Sequence, residues 1–233
     1  MDYLQTNPLE GIGNFKNNSI IQKEMSFYTG DEFKKFINAV KQCAINAEKE
    51  NNLYEWNFYV FFSIAFYTGL RKGEIHALQW NDLDSDFNYL SVKRSINQKV
   101  KGIDIETSPK NNSSYRTLQI PTPLKNILND HFKRCNNIDG FTKSHRICGG
   151  TTPLRDTTIQ NRNKTYSNLA NVKTIRIHDY RHSHSSLLAN SGINIQEIVR
   201  RLGHAKIEIT WNTYSHLYPH EEEKAIQFLN EVV

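Results

Sequence analysis

Three short segments of the chain concentrate residue types that can do chemistry on a phosphate ester. They begin at Thr68, Ile177 and Leu202 and read TGLRKGEI, IHDYRHSHSSLLANSG and LGHAKIEITWNTYSHL. Arginine suits this chemistry because its planar guanidinium donates paired, charge-assisted hydrogen bonds to the oxygens of a phosphate. A tyrosine hydroxyl can attack phosphorus, but with an ordinary pKa of about 10 it needs cations or a base that favour loss of its proton.

Taken together, the three segments resemble the tyrosine recombinase (phage integrase) family, from about Thr29 to Tyr218. That family uses an arginine, a lysine, a His-x-x-Arg pair, a histidine or tryptophan, and a nucleophilic tyrosine, in this order. Each motif alone is a weak signal, whereas the ordered set is specific. The resemblance implies a site-specific DNA recombinase (integrase) that cleaves and rejoins double-stranded DNA through a 3′-phosphotyrosyl intermediate, for integration or excision of a mobile element.

The same resemblance implies a role for each matching residue. The implied catalytic residues are Arg71, Lys110, His178, Arg181, His204 and the nucleophile Tyr214. Arg71 and Arg181 would clamp the scissile phosphate, where negative charge grows in the transition state. Lys110 would protonate the departing 5′ oxygen, and His204 would hydrogen-bond a phosphate oxygen. Glu74 lies three positions after Arg71, on the same helical face, and would orient it.

The covalent route explains why we expect neither a cofactor nor a metal. A phosphotyrosyl bond preserves the energy of the broken phosphodiester, and the hydroxyl of the other strand can reverse it. ATP and a metal ion are then not required.

Two of these assignments have rivals in the sequence. The alternatives for the lysine are Lys93 and Lys101, and those for the nucleophile are Tyr218 and Tyr180. The spacing from Gly203 and His204 favours Tyr214 as the nucleophile.

The histidines of the second segment admit a different interpretation, a metal cluster of His178, His182 and His184. No carboxylate or cysteine completes an identifiable ligand set around them. The chain's three cysteines are widely spaced and form no C-x-x-C pair, so they support neither a zinc site nor a disulfide framework. We therefore expect His182 and His184 to pack or to form hydrogen bonds.

The composition is typical of a globular protein and favours a polyanionic partner. Hydrophobic residues make up 38% and charged residues 23%, which argues against a disordered or a membrane protein. The chain opens without an export signal and contains no apolar run of about 20 residues, so we expect a cytoplasmic location. The net charge of +5 suits binding to DNA. The basic residues expected to contact DNA phosphates are Lys93, Arg94 and Arg116.

The elements that position these residues can be predicted from periodicity and capping signals. Thr29 and Glu32 have the spacing of a capping box before an amphipathic helix. The run from 54 to 67 is apolar on nearly all sides, which predicts a buried helix that ends at Gly69. A short helix from Arg71, helices over 123–135 and 153–169, and a helical region from His178 onward should follow.

Between these helices, residues 89–120 alternate in three short segments, YLSVKRS, GIDIETS and YRTLQI, which predict strands. The predicted fold class is therefore α+β and mostly α: a helical catalytic domain with a small three-stranded antiparallel sheet, the tyrosine recombinase catalytic fold. Near the C-terminus Ile226, Leu229 and Val233 form an apolar stripe, which could close the core or dock on a neighbour.

Residues 1–26 have the breakers and weak periodicity of a leader or linker stub, and residues 27–233 are predicted to form the catalytic domain. The family has a core-binding domain before the catalytic one, and residues 1–26 leave no room for it. We therefore expect a fragment of a longer integrase, or a partner that supplies that half. The resemblance also implies a homo-tetramer on DNA, with accessory DNA-bending or directionality factors.

Other functional classes remain open at the level of the sequence. A catalytically silent DNA-binding module would keep the fold without turnover. A metal-dependent nuclease would lose its activity in a chelator. A type IB topoisomerase shares the chemistry, although the wording of the motifs is closer to that of recombinases.

Overall fold

A computed structural model describes residues 26–98, 103–108, 114–219 and 222–231. The α-helices of these ranges are α1 (Gly30–Lys49), α2 (Trp56–Thr68), α3 (Lys72–Ala77), α4 (Thr122–Asn136), α5 (Asp156–Leu169), α6 (Asp179–Asn190), α7 (Ile195–Leu202), α8 (Ile207–Tyr214) and α9 (Glu222–Asn230). The strands are β1 (Tyr89–Val92), β2 (Ser95–Asn97), β3 (Ile105–Thr107) and β4 (Arg116–Gln119). Short 3-10 turns cover Trp80–Asp82 and Ser215–Leu217.

Helix α2 is the centre of the core, and α1, α4 and α6 pack around it. Its apolar side chains are buried on all sides, as the sequence predicts. Aromatic rings make much of the contact: Phe33 of α1 stacks on Phe66 at 3.6 Å between centroids, and Phe62 lies 5.3 Å from Tyr180 of α6. Large buried aromatic surfaces dominate the stabilisation of such a core, so α2 and α6 are held firmly against each other.

The start of α1 has the predicted capping box. The backbone N–H of Glu32 donates to Thr29 Oγ1 at 3.2 Å, and the backbone N–H of Thr29 donates to Glu32 Oε2 at 2.8 Å. Each side chain thus satisfies a backbone donor that the first helical turn leaves unpaired.

Gly69 ends α2 in the left-handed conformation, with a φ of 66°, as predicted for this position. A Cβ added there would lie 2.7 Å from Cδ2 of His184, so α6 approaches the turn more closely than a side chain permits. The turn brings Arg71 to the N-terminus of α3 beside α6. The tight packing at Gly69 therefore sets the separation between the segments that begin at Thr68 and at Ile177.

The strands form two antiparallel pairs within the described ranges, β1 with β4 and β2 with β3. Tyr89 lies opposite Gln119 in the first pair, and Ser95 lies opposite Thr107 in the second. The predicted single three-stranded sheet is therefore wrong for the described residues. The sequence predicts its first strand over 89–95, whereas β1 ends at Val92 and β2 begins at Ser95, with Lys93 and Arg94 between them. Because both of these side chains reach the carboxylate of Asp82, they cannot alternate between faces as strand residues do.

The mostly helical α+β class with small antiparallel sheets is confirmed. Helices α6, α7 and α8 follow one another with short connections, and Gly203 ends α7 with a φ of 65°. Further along, α9 presents Ile226 and Leu229 with 53% and 61% of their surface exposed, while Val233 lies outside the described residues. No helix in the described ranges is long and apolar enough to cross a membrane.

Candidate active site

Arg71 stands at the N-cap of α3, where Glu74 fixes it. Its backbone N–H donates to Glu74 Oε2 at 2.8 Å, and its Nη1 donates to Glu74 Oε1 at 3.0 Å. The Arg71 side chain remains 39% exposed, so its guanidinium is held on one side and open to solvent on the other. This is the geometry that the sequence predicts for the pair.

Glu74 itself is anchored by a second arginine, Arg116, which the sequence does not identify as its partner. Arg116 of β4 donates from Nη1 and Nη2 to the two carboxylate oxygens at 3.1 and 2.9 Å, and both side chains are only 5% exposed. Burial alone would raise the pKa of Glu74, but the hydrogen bonds and charge of Arg116, with those of Arg71, hold it below its usual value. Glu74 is therefore ionised at neutral pH.

This placement corrects the expectation that Arg116 contacts DNA. Its Nε donates to the backbone oxygen of Arg201 at 2.7 Å, and its Nη1 also reaches the backbone oxygen of Ser114 at 3.1 Å. Since four of the five N–H groups of its guanidinium donate to buried protein acceptors, Arg116 has no pair of donors left for a DNA phosphate. Arg116 instead links β4 to α3 and α7.

Arg181 of α6 is 3% exposed and bonded to two backbone carbonyls. Nη1 donates to the oxygen of Gly69, and Nη2 donates to the oxygen of Leu202, each at 2.7 Å. These bonds tie the ends of α2 and α7 to α6 and fix the guanidinium plane. Burial, followed by repulsion from Arg71, lowers the pKa of Arg181 to about 9. An anion beside the two arginines would relieve that repulsion.

His178 stands at the N-cap position of α6, without a capping bond from its side chain, and is exposed to solvent. Loss of water around its ring, with the charge of Arg181 next in size, holds the pKa of His178 below its usual value. The His178 ring packs edge to face on His182, with centroids 4.9 Å apart. His178, Arg181, His182 and Ser185 follow the i, i+3, i+4, i+7 spacing that places side chains on one face of α6.

His204 follows Gly203 and is oriented by α8. Its Nδ1 lies 2.8 Å from Oγ1 of the buried Thr210, which fixes the ring and leaves Nε2 for another partner. Burial lowers the pKa of His204 to about 4, and the positive charges of Arg181 and Arg71 add to the effect. The imidazole is therefore neutral at pH 7 and lies within electrostatic reach of both arginines.

Tyr214 is the last residue of α8, and it is 2% exposed. Its hydroxyl lies 2.6 Å from Nδ1 of His182. Burial raises the pKa of Tyr214 above its usual value, while a hydrogen bond with Ser185 and the charge of Arg181 partly offset that rise. The structure thus brings Tyr214, Arg181 and the neighbouring site residues together from three distant segments.

The chain matches the Phage integrase family over residues 26–221. The chain belongs to this family.

Among curated relatives, the ICEBs1 integrase of Bacillus subtilis (strain 168) is 31% identical over 239 residues, covering 100% of this chain and 61% of the relative. A tyrosine recombinase XerC-like protein of Caldanaerobacter subterraneus subsp. tengcongensis is 30% identical over 238 residues, covering 91% of this chain and 56% of the relative. The chain thus spans 56% to 61% of the length of these two relatives.

Solved structures share the fold. The Tn1549 transposon integrase in complex with circular intermediate DNA has a TM-score of 0.69 at 18% identity, covering 91% of this chain and 69% of that one. The catalytic domain of bacteriophage HP1 integrase has a TM-score of 0.55 at 18% identity, covering 88% of this chain and 95% of that one. The fold of this chain is therefore that of an integrase catalytic domain.

The two rival tyrosines of this chain form hydrogen bonds elsewhere. The buried hydroxyl of Tyr180 donates to Asn163 Oδ1 at 2.7 Å, inside the core. The hydroxyl of Tyr218 donates to the backbone oxygen of Ile193 at 2.8 Å. Neither hydroxyl bonds to the arginine and histidine cluster, so the geometry favours Tyr214.

The lysine position is only partly described. Lys110 and its rival Lys101 lie outside the described residues, so the assignment of Lys110 stays a prediction. Lys93 is 53% exposed and lies 3.4 Å from the buried carboxylate of Asp82, which also bonds Arg94. Although Asp82 pairs with both, the side chains of Lys93 and Arg94 remain 53% and 27% exposed. Their DNA contacts stay predictions as well.

The alternative metal cluster finds no support in the ranges that the structure describes, where no group of three or more His, Cys, Asp or Glu side chains is arranged to hold a metal. His184 is buried, and its Nδ1 lies 2.8 Å from the backbone oxygen of Phe66. The packing and hydrogen-bonding role predicted for His182 and His184 is confirmed. The sequence did not identify the partner of His182, which is the hydroxyl of Tyr214.

Proposed function

We propose that residues 27–233 are the catalytic domain of a site-specific DNA recombinase that integrates or excises a mobile element. In this proposal the enzyme cleaves and rejoins DNA strands through a 3′-phosphotyrosyl bond to Tyr214. The observation that carries the proposal is that Arg71 and Tyr214, from two other segments of the sequence, both interact electrostatically with the buried Arg181.

The two arginines would form the phosphate clamp. Arg71 has an open side, and Arg181 is fixed by two carbonyls, so a phosphate between them would meet oriented donors. Preorganised donors of this kind stabilise the charge that develops on the non-bridging oxygens in the transition state. Burial is the main cause of the lowered pKa of Arg181, and the repulsion from Arg71 that adds to it favours occupation of the site by an anion. His204, neutral and fixed by Thr210, would hydrogen-bond a phosphate oxygen.

The covalent step would proceed by attack of Tyr214 on the scissile phosphorus. The bond between phosphorus and the 5′ oxygen breaks, and Lys110 gives that oxygen a proton. Rejoining runs the same steps in reverse, with the 5′ hydroxyl of the partner strand as nucleophile. The proposal requires neither a metal nor another cofactor, because cationic side chains supply the charge stabilisation.

We propose double-stranded DNA as the principal partner, with Lys93 and Arg94 tracking its backbone. Solved relatives support this: the Tn1549 integrase was determined with circular intermediate DNA, and the XerH recombinase was determined bound to its difH substrate. A homo-tetramer on DNA, helped by DNA-bending or directionality factors, belongs to the same proposal, as does a cytoplasmic location. The exposed Ile226 and Leu229 of α9 offer an apolar face for contact between copies.

A trapping experiment tests this function. The chain is incubated with a pool of nicked duplex oligonucleotides of randomised sequence, labelled on the strand whose 3′ phosphate would be captured. The nick lets the short 5′ fragment diffuse away, so a cleaved strand stays attached to the protein after denaturation. The proposal predicts such an adduct with the unaltered chain, none with Tyr214→Phe, and no loss in a chelator.

Two other results would each overturn the proposal. Binding to the duplexes without an adduct would make the chain a silent DNA-binding module. An adduct or a cut that disappears in the chelator would instead indicate a metal-dependent nuclease.

A further inference from the structure

Helix α6 carries a histidine that the family motif does not assign and that touches the reacting atom. The Nδ1 atom of His182 lies 2.6 Å from the hydroxyl oxygen of Tyr214, and the two ring centroids are 5.9 Å apart. His182 follows Arg181 directly and lies one helical turn after His178, whose ring packs edge to face against it. Its orientation is therefore fixed from one side by His178 and from the other by Tyr214.

We propose that His182 is a further catalytic residue, which holds the Tyr214 hydroxyl and accepts its proton as the phenolic oxygen attacks phosphorus. This inference rests on the proposed function. The proton moves from the hydroxyl to Nδ1, the new bond joins the phenolic oxygen to phosphorus, and the bond to the 5′ oxygen breaks. The departing 5′ oxygen takes a proton from the general acid, the role proposed for Lys110. In rejoining, the protonated His182 returns its proton to the phenolic oxygen as that oxygen leaves.

The hydroxyl needs such a partner because its surroundings oppose ionisation. Burial raises the pKa of Tyr214, so the free phenolate is rare near neutral pH. His182 meets both requirements of a base: its Nδ1 is close enough to the hydroxyl for direct proton transfer, and its ring is neutral. A short, direct hydrogen bond is the geometric requirement for a general base.

Burial, with the charges around His182, keeps its ring neutral, and those charges govern its response to DNA. Burial lowers the pKa of His182 to about 4, with further lowering by His178, Arg176 and Arg181 and an opposing effect of Asp179. A DNA phosphate entering beside Arg181 adds negative charge, which raises the pKa of the imidazole. The site thus becomes a better proton acceptor when the substrate is bound.

The test compares His182→Asn and His182→Ala with the unaltered chain. Asparagine places an acceptor oxygen close to the position of Nδ1 but does not take up a proton, whereas alanine removes both functions. His216→Asn is the matched control, because His216 is exposed and lies two residues beyond Tyr214. The rate of adduct formation on the nicked duplex pool and the Kd for the same pool are both measured.

We expect His182→Ala to slow adduct formation by about 10²–10⁴-fold, the range of a general base. His182→Asn should be slower than the unaltered chain by roughly tenfold or more, with Kd and thermal stability unchanged. A wild-type rate in His182→Asn would overturn the inference, and so would a fall in rate matched by the His216→Asn control.

A second measurement distinguishes the nucleophile from the leaving group. Duplexes with a sulfur in place of the 5′ bridging oxygen have a leaving group that departs without a proton. The defect of His182→Asn should persist on these duplexes, whereas that of Lys110→Ala should largely disappear. Restoration of His182→Asn by sulfur would assign it to the leaving group and overturn the inference. Absence of any adduct with the unaltered chain would instead refute the proposed function.

Discussion

Replacing Glu74 with glutamine should lower the stability of the folded protein and slow adduct formation on DNA, because Glu74 connects two arginines. Its carboxylate accepts hydrogen bonds from Arg71 and Arg116, and both partners of the Arg116 pair are only 5% exposed. Removing one member of a buried ion pair leaves an uncompensated charge and costs about 3–5 kcal/mol. The Arg71 pair, with a 39% exposed guanidinium, adds at most about 1 kcal/mol.

These contributions predict that Glu74→Gln lowers the free energy of unfolding by about 3 kcal/mol, since glutamine keeps one acceptor oxygen. For a chain of this size that loss corresponds to a Tm lower by roughly 6–12 °C. A displaced Arg71 should also slow adduct formation on nicked DNA by about 10²-fold. Calorimetry gives the first quantity, and single-turnover trapping gives the second.

The pH dependence provides an independent check on the charge. Because the pKa of Glu74 is held below its usual value in the folded protein, its contribution is present above the unfolded pKa of about 4.3 and is lost as the pH falls through the folded pKa. The difference between the unaltered chain and Glu74→Gln should therefore be complete at pH 7 and shrink below pH ~4.3.

Glu197→Gln is the matched control for this prediction. Glu197 bonds Arg200 at 2.8 Å on the surface of α7, where exposed pairs contribute about 0–1 kcal/mol. If Glu74→Gln were no less stable than Glu197→Gln, with an unchanged rate of adduct formation, the role assigned to the buried pair would be refuted.

Three further predictions concern the clamp and the turn before it. Arg71→Lys should slow adduct formation by about 10²–10³-fold because an ammonium cannot make paired bonds to phosphate; single-turnover trapping at the unaltered rate would contradict this. Sulfate should raise the Tm of the unaltered chain more than that of Arg71→Gln, since an anion relieves the repulsion between Arg71 and Arg181; equal shifts by calorimetry would exclude such a site. Gly69→Ala should be less stable than the control Gly140→Ala by about 1–3 kcal/mol, because both glycines have positive φ but only at Gly69 would the added Cβ meet a side chain, at 2.7 Å; urea denaturation with equal losses would contradict the packing argument.

Much of the local structure follows from short sequence patterns. Thr29 and Glu32 form their capping box, and Gly69 and Gly203 end their helices in the left-handed conformation. These features depend on residues within one or two helical turns, so a pattern of neighbours is enough to predict them. The pairing of Arg71 with Glu74 is local in the same sense.

The features that the sequence did not reveal depend on contacts between distant elements. Arg116 is 42 positions from Glu74, and its burial results from the packing of β4 against α3 and α7. The strand pattern predicts that Arg116 lies on a strand, but it does not show which acceptors its guanidinium faces. The bond between His182 and Tyr214 spans 32 positions. A signal was nevertheless present, because His182 shares a helical face with His178 and Ser185.

The interrupted strand has a similar origin. Residues 89–95 alternate as a strand should, but the carboxylate of Asp82 draws both Lys93 and Arg94 to one side. Buried acidic groups need such partners, and the gain from pairing outweighs the lost strand geometry. The predicted strand over 89–95 is interrupted because alternation alone does not take into account Asp82, the acceptor in the preceding turn.

Tyr214 should become covalently joined to DNA, and the attachment point can be identified directly. Trypsin cleaves after Lys206 and after Lys224, so the DNA-linked peptide would span residues 207–224 and contain both Tyr214 and Tyr218. Fragmentation of that peptide by mass spectrometry, after nuclease removes all but one nucleotide, places the added mass. The mass on Tyr214 is the predicted result. Attachment at Tyr218, or at Tyr180 within the peptide of residues 177–181, would show that Tyr214 is not the nucleophile.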